Sequence, residues 1–264
     1  MNKLKLFSGL GLLLLAFAVA ARTTLLEAPG VPQGKPGAGP VDHRVFDRLL
    51  KKHVNAEGRV NYKGFKAEQE EFNKYLSLLS KNPPAASWSK NEQMAYWINA
   101  YNAYTIRLIL DHYPLKSIKD IGPKIQVPFV NTPWAKKFFT IGGEEMSLDN
   151  IEHGTLRKKY NDPRIHFALV CASISCPRLR NEAYTAEQLD RQLDEQGRDF
   201  LSNASKNKVG KDKALLSKYF DWYKGDWEKN GQNVVSWVNK YSPTKIDKNT
   251  KIGYLDYNWK LNEQ

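Results

Sequence analysis

The stretch SKNEQMAYWINAYNAYTIRLILDHYP, Ser89 to Pro114, decides how the chain folds. Ser89 followed three residues later by Glu92 is a capping-box pattern, in which each side chain satisfies a free backbone amide of the first turn. The spacing then predicts a helix to about His112, ended by Pro114. At helical periodicity Met94, Ile98, Tyr101, Thr105 and Leu108 share a face, and Ala95, Ile106 and Leu110 widen it. An arc that broad predicts a helix buried around much of its circumference, with other elements packed on it. Gln93, Arg107 and Asp111 mark the expected wet side. Asn99 and Asn102 fall inside the apolar arc. A buried amide is costly unless hydrogen-bonded, so this pair is expected either to fasten a loop or to line a site.

Working outward, Val41 to Asn55 and Glu68 to Ser80 read as helices, with a short strand at Arg59 to Tyr62 between them. Downstream, Lys137 to Ile141 and Glu144 to Met146 flank Gly142-Gly143 and predict a hairpin. Ser147 caps the next helix, where Asp149 suits the positive end of the helix dipole. On that helix Glu152 lies between Leu148 and Leu156, and His153 is rotated away from it, so the two should not point at one spot. Ile165 to Val170 alternates on two apolar faces and predicts a central strand carrying His166. Ala186 to Asn203 is amphipathic. A strand near Ala214 to Leu216, helices around Ser217 to Lys229 and Val234 to Lys240, and a strand at Ile252 to Tyr257 complete the reading. The class expected is α+β: one helix-rich domain around a small, largely antiparallel central sheet.

Residues 1–21 combine Lys3 and Lys5 with an apolar run, Leu6 to Ala20, that is short for a membrane span but fits a secretory signal. Ala18-Val19-Ala20 offers a cleavage site, and an uncleaved anchor is the alternative. Residues 22–40 are rich in Pro and Gly and read as a flexible linker; residues 41–264 form the globular part. A periplasmic or secreted location follows as an expectation. The net charge is +12, which suits an acidic envelope surface or anionic ligand. No nucleic-acid-binding motif is present. No cofactor is implied.

Several motifs occur in order: YWINAYNAYTIRLILDHYP, SIKDI with a following PW, SLDNIEHGTLR, DPRIHFALVCASISCPRLR, AYTAEQLDRQL, FDWY and YLDYNWKLN. In these the chain resembles the DUF547 family, a domain defined by sequence and without an established general function, over about Asn61 to Asn262. The family's pattern matches at Trp97, Asn99, Asn102, Glu152, His153, Gly154, Arg157, Arg164, His166, Cys176 and Pro177. Cys171 stands where the family often places its first cysteine.

Three chemistries compete for these residues. In a thiol enzyme, Cys176 at a chain turn is the better nucleophile, His166 or His153 the base, and Glu152, Asn99 or Asn102 an orienting or oxyanion group. Cleavage or transfer at an amide, peptide or ester bond would follow. Papain-like and transglutaminase-like enzymes use such sets on α+β scaffolds, an analogy only. A zinc site could draw on His153, His166, Cys171 and Cys176, at spacings unlike the common short zinc motifs. In a binding or scaffold module, Cys171 and Cys176 would form a disulfide, while Arg164, Arg178 and Arg180 would pair with buried carboxylates or bind an anion.

Overall fold

The predicted long helix forms as α4, Lys90–His112, with both halves of its capping box in place. The structure is a computed structural model that describes residues 31–35 and 39–264. The proposed signal and most of the linker therefore lie outside the described residues. Every residue of α4 from Gln93 to Ile106 is buried, so the helix is the axis of the core. Helices α2 (Tyr62–Ala67) and α3 (Gln69–Lys81) pack beside it, and α1 (Arg44–His53) packs on those two. Phe46 of α1 stacks on Tyr75 of α3 with ring centroids 4.9 Å apart. Tyr96 and Tyr104 of α4 donate their hydroxyls to the Leu79 and Leu76 carbonyls of α3, so each aromatic ring is buried with its polar end satisfied.

Gln93 departs from the reading as a solvent-facing residue. It is buried, donates to the Trp88 carbonyl and accepts from Lys159 and Tyr160. Partners distant in sequence made a polar position an interior one.

The strands form two small sheets rather than one central sheet. Antiparallel β1 (Phe139–Ile141) and β2 (Glu144–Met146) turn through Gly142 and Gly143, both at positive φ, a conformation that costs glycine little. The other sheet joins β3 (Lys208–Val209), β4 (Lys213–Leu216) and β5 (Lys251–Tyr254), with β3–β4 antiparallel and β4–β5 parallel. It borders a second apolar cluster built on Phe167, Phe200, Trp227, Trp237 and Tyr241. Helices α6 (Leu189–Ser202), α7 (Tyr219–Trp222), α8 (Lys224–Trp227) and α9 (Val234–Tyr241) frame that cluster.

The strand expected at Ile165 to Val170 is absent. Residues Pro163–Phe167 form a 3₁₀ turn, with the Asp162 side chain accepting from the Arg164 amide. Asp followed by Pro is a helix-start signal, because the carboxylate caps a free amide and proline has none to lose. Both "faces" of the supposed strand are apolar because the turn is enclosed on every side. The C-terminal tail runs along the cysteine loop that follows: the Ile174 amide donates to the Lys260 carbonyl and the Asn262 amide to the Ala172 carbonyl. This contact brings Tyr257 to the cysteines. Val31–Gln264 is one compact unit. Among the described residues no helix is long and apolar enough to cross a membrane.

Candidate functional site

The helix after Ser147 opens into a π-helical segment, Asn150–Leu156, before α5 (Arg157–Lys159). A π turn is wider than an α turn and is common at functional sites. It lessens the angle between adjacent side chains. Glu152 and His153, expected to diverge, both line one cavity of about 240 Å³. Asp149, His166 and Cys171 also line it. Aromatic rings make its walls, among them Tyr101, Phe129, Trp134, Tyr223 and Trp259.

The polar groups form a chain of contacts centred on Arg157. Its Nε donates to Asp226 Oδ2 at 2.5 Å, and its Nη1 lies 2.8 Å from His153 Nδ1. A guanidinium can only donate, so His153 Nδ1 must accept. His153 is therefore the neutral tautomer with its proton on Nε2, which faces Asp149 Oδ1 across 3.7 Å. Burial, with the Arg157 charge reinforcing it against nearby carboxylates, lowers the pKa of His153. On the far side, Asp226 Oδ2 accepts from His166 Nε2 at 2.8 Å. Asp226 Oδ1 meets Lys229 Nζ at 2.8 Å. Burial would raise the Asp226 carboxyl, but the bonds from His166, Arg157 and Lys229 hold it far below the usual carboxylate range. His166 is sealed at 1 % exposure. Its ring stacks on Tyr223 at 3.7 Å, and its Nδ1 lies 3.8 Å from Glu152 Oε1. Burial lowers its pKa despite the two carboxylates. Asp149 behaves oppositely. Burial, then the charge of Glu152, pushes its carboxyl up to about 6, so it can exchange a proton near neutrality.

Both cysteines are free thiols. They lie on different sides of the loop: Cys171 lines the aromatic cavity, whereas Cys176 borders a separate hollow with Arg59, Ser173 and Lys206. The Cys176 sulfur contacts the Cys171 amide at 3.1 Å, Ser173 Oγ at 3.2 Å, and the Tyr257 and Tyr219 hydroxyls at 3.2 and 3.5 Å. Burial opposes its ionisation. Hydrogen bonds from Cys171, Ser173, Tyr219 and Tyr257 outweigh burial and bring the Cys176 thiol down to about 5. Burial and the neighbouring Cys176 sulfur push the Cys171 thiol up. Cys176 is thus the member of the pair that ionises first. The hydrogen bonds of His166 and His153 go to Asp226 and Arg157, and those of the sulfurs to the Cys171 amide and the Ser173 and tyrosine hydroxyls. Among the described residues, no three His, Cys, Asp or Glu side chains are grouped to hold a metal ion.

The other residues singled out from sequence have structural partners. Asn99 donates to the Tyr184 carbonyl and accepts from the Tyr184 amide. Asn102 does the same to Ala168 and Val170, clamping the turn that follows His166. Each fastens a loop. Arg164 is held by Asp162, Asp190 and Asp194, Arg178 by Asp199, and Arg180 by Glu182 and Glu195. Sequence reasoning did not pick out Asp149, Arg157, Asp226 or Tyr257 as site groups. A signal existed for the first two: Asp149, His153 and Arg157 recur at intervals of four, the spacing of one helix face.

Residues 85–201 match the family model described as "Protein of unknown function, DUF547". This segment belongs to the DUF547 family. It supplies Asp149, Glu152, His153, His166 and both cysteines, while Asp226 and Tyr257 come from outside it. No curated protein and no solved structure matches the chain.

Proposed function

We propose that the chain is a hydrolase or acyltransferase acting at an amide, peptide or ester carbonyl held in the aromatic cavity. The observation that carries this reading is that a thiol, a neutral imidazole N–H and a carboxyl poised near neutrality line the same cavity. In this reading Cys171 replaces Cys176 as the nucleophile, because Cys176 faces away from the cavity. The Cys176 thiolate takes the Cys171 proton as the Cys171 sulfur bonds to the carbonyl carbon. The His153 Nε2–H donates to the developing oxyanion. Asp149 in its acid form protonates the leaving nitrogen or oxygen as the bond to it breaks. Water, or an acceptor nucleophile, then displaces the thiol from the acyl-enzyme and returns the protons. Glu152, Arg157, His166 and Asp226 fix this array, with His166 a positioning residue rather than a base.

A second reading has one observation behind it. Arg157 occupies the only free lone pair of His153, which keeps that ring from accepting a proton, as suits a site that binds without chemistry. Intact-mass analysis after exposure to short-chain p-nitrophenyl esters separates the two. An acyl adduct on the wild type, absent in Cys171→Ala and present in slowly turning over Asp149→Asn, supports the enzyme. Ester binding with no adduct and no turnover leaves the binding module.

A further inference from the structure

Five large apolar side chains are exposed among the described residues, and they are not scattered. Ile125, Val127, Phe129 and Val130, between 48 and 82 % exposed, sit on one irregular loop. The fifth, Trp222, stands with Phe129 on the rim of the aromatic cavity. The loop holds Phe129 in the left-handed region, at φ 61°, which costs a non-glycine residue about 1 kcal/mol or more. Phe129 meets His153 edge-on at 5.0 Å yet leaves most of its ring in water. Exposed apolar clusters of this kind mark an interaction surface.

The charges around the loop say what it meets. Lys116, Lys119, Lys124, Lys136 and Lys137 flank it, all exposed, and none makes an ion pair among the described residues. The one acid of that stretch, Asp120, turns back to accept from the Lys116 and Ser117 amides. Lys119 lies over the Trp259 ring, 5.2 Å from its centroid, and Trp259 packs against both Trp134 and Trp222. An uncharged apolar tip, a tryptophan cluster behind it and a lysine collar are the parts of an interfacial membrane anchor: the tip enters the acyl region, the indoles sit at headgroup level and the lysines face anionic lipid. We propose that this loop docks the protein on an anionic lipid surface, with the cavity mouth at the interface. The proposal is independent of the chemistry assigned to the cavity.

The test labels the full-length Val127→Cys variant, in a background carrying Cys171→Ser and Cys176→Ser, with an environment-sensitive fluorophore, so that the loop thiol alone reacts. Vesicles of phosphatidylglycerol in phosphatidylcholine, with and without brominated acyl chains, are then added. The label reads the loop itself, so attachment through the apolar run at Leu6 to Ala20 does not imitate the result. Insertion gives a blue shift and bromine quenching on anionic vesicles. Adding Lys119→Gln and Lys124→Gln weakens the apparent loop affinity about thirtyfold, from about fivefold per lysine. Phe129→Ser with Val130→Ser abolishes the quenching while the circular dichroism stays native. No quenching on anionic vesicles overturns the proposal. So does quenching that ignores salt and the lysine substitutions, or a concentration-dependent blue shift without lipid, which would assign the loop to a second copy of the chain.

Discussion

Replacing Asp226 by Asn tests whether the Arg157 network holds the site together. Asp226 is 7 % exposed and takes three bonds: from His166, 1 % exposed, from Arg157, 28 % exposed, and from Lys229, 34 % exposed. A buried hydrogen bond to a charged acceptor contributes about 1.5–3 kcal/mol. An exposed pair such as that with Lys229 contributes about 0–1 kcal/mol. Arg157 falls between, so the three together amount to about 3–5 kcal/mol. Asparagine keeps one accepting oxygen, but its NH₂ group faces donors on the other side. The expected net loss is therefore about 3 kcal/mol. A domain of this size has a stability of about 5–15 kcal/mol, so the variant stays folded and urea titration at pH 7 reads the loss as a lower midpoint at unchanged slope. The pH dependence has a definite sign. A carboxyl depressed by folding stabilises fully above its ordinary value of 3.8, and that contribution fades as pH falls below it. The difference between the proteins should thus shrink in acid. A loss under about 1 kcal/mol, or one that does not shrink below pH 3.8, would refute the network's role.

Three further outcomes follow from the same geometry. Asn102→Ala leaves the Ala168 carbonyl and the Val170 amide unpaired in the interior and should cost about 2–4 kcal/mol in urea or thermal unfolding; Asn102→Asp, which cannot donate to Ala168, should also destabilise. Thiolate absorbance should titrate with a midpoint of about 5 for the cysteine pair, and Tyr257→Phe, which removes a donor to the Cys176 sulfur, should raise that midpoint. Ligand binding or turnover in the cavity should show a limb near pH 6 from Asp149, lost in Asp149→Asn and moved to lower pH in Glu152→Gln, which removes a neighbouring negative charge.

Where local chemistry decides structure, the chain was readable. Ser89 and Glu92 fix the start of α4, its apolar arc fixes its burial, and Gly142-Gly143 fixes the hairpin turn. Where distant groups decide, it was not. Gln93 is polar and was assigned to solvent, but Lys159 and Tyr160 supply partners that let it be buried. Pro163 to Phe167 shows a different failure: a short apolar run fits a strand and an enclosed turn equally well. What distinguishes them is the Asp162-Pro163 cap, a helix-start signal that the apolar alternation does not carry. The candidate site followed the same division. Glu152, His153 and His166 were legible as polar groups on buried segments. Asp226, the partner of His166, lies 60 residues beyond it and Tyr257 lies 81 beyond Cys176, and nothing in the spacing links them.

That division bears on what the functional unit is. Residues 85–201 carry the groups that could act on a ligand, but the groups that set their charge come later in the chain. Asp226 fixes the proton of His166 and the position of Arg157. Through Arg157 it fixes the tautomer of His153. Tyr219 and Tyr257 donate to the Cys176 sulfur and so decide which cysteine keeps the proton. Trp222, Tyr223 and Trp259 wall the cavity. The C-terminal tail holds Tyr257 in place by bonding to the cysteine loop. A segment ending at residue 201 would retain His153, His166 and both thiols yet lose Asp226, Tyr219 and Tyr257, and with them the reason for His153 to donate and for Cys176 to be the thiolate. The groups on which the proposed chemistry rests therefore extend past the matched segment to the C-terminal tail.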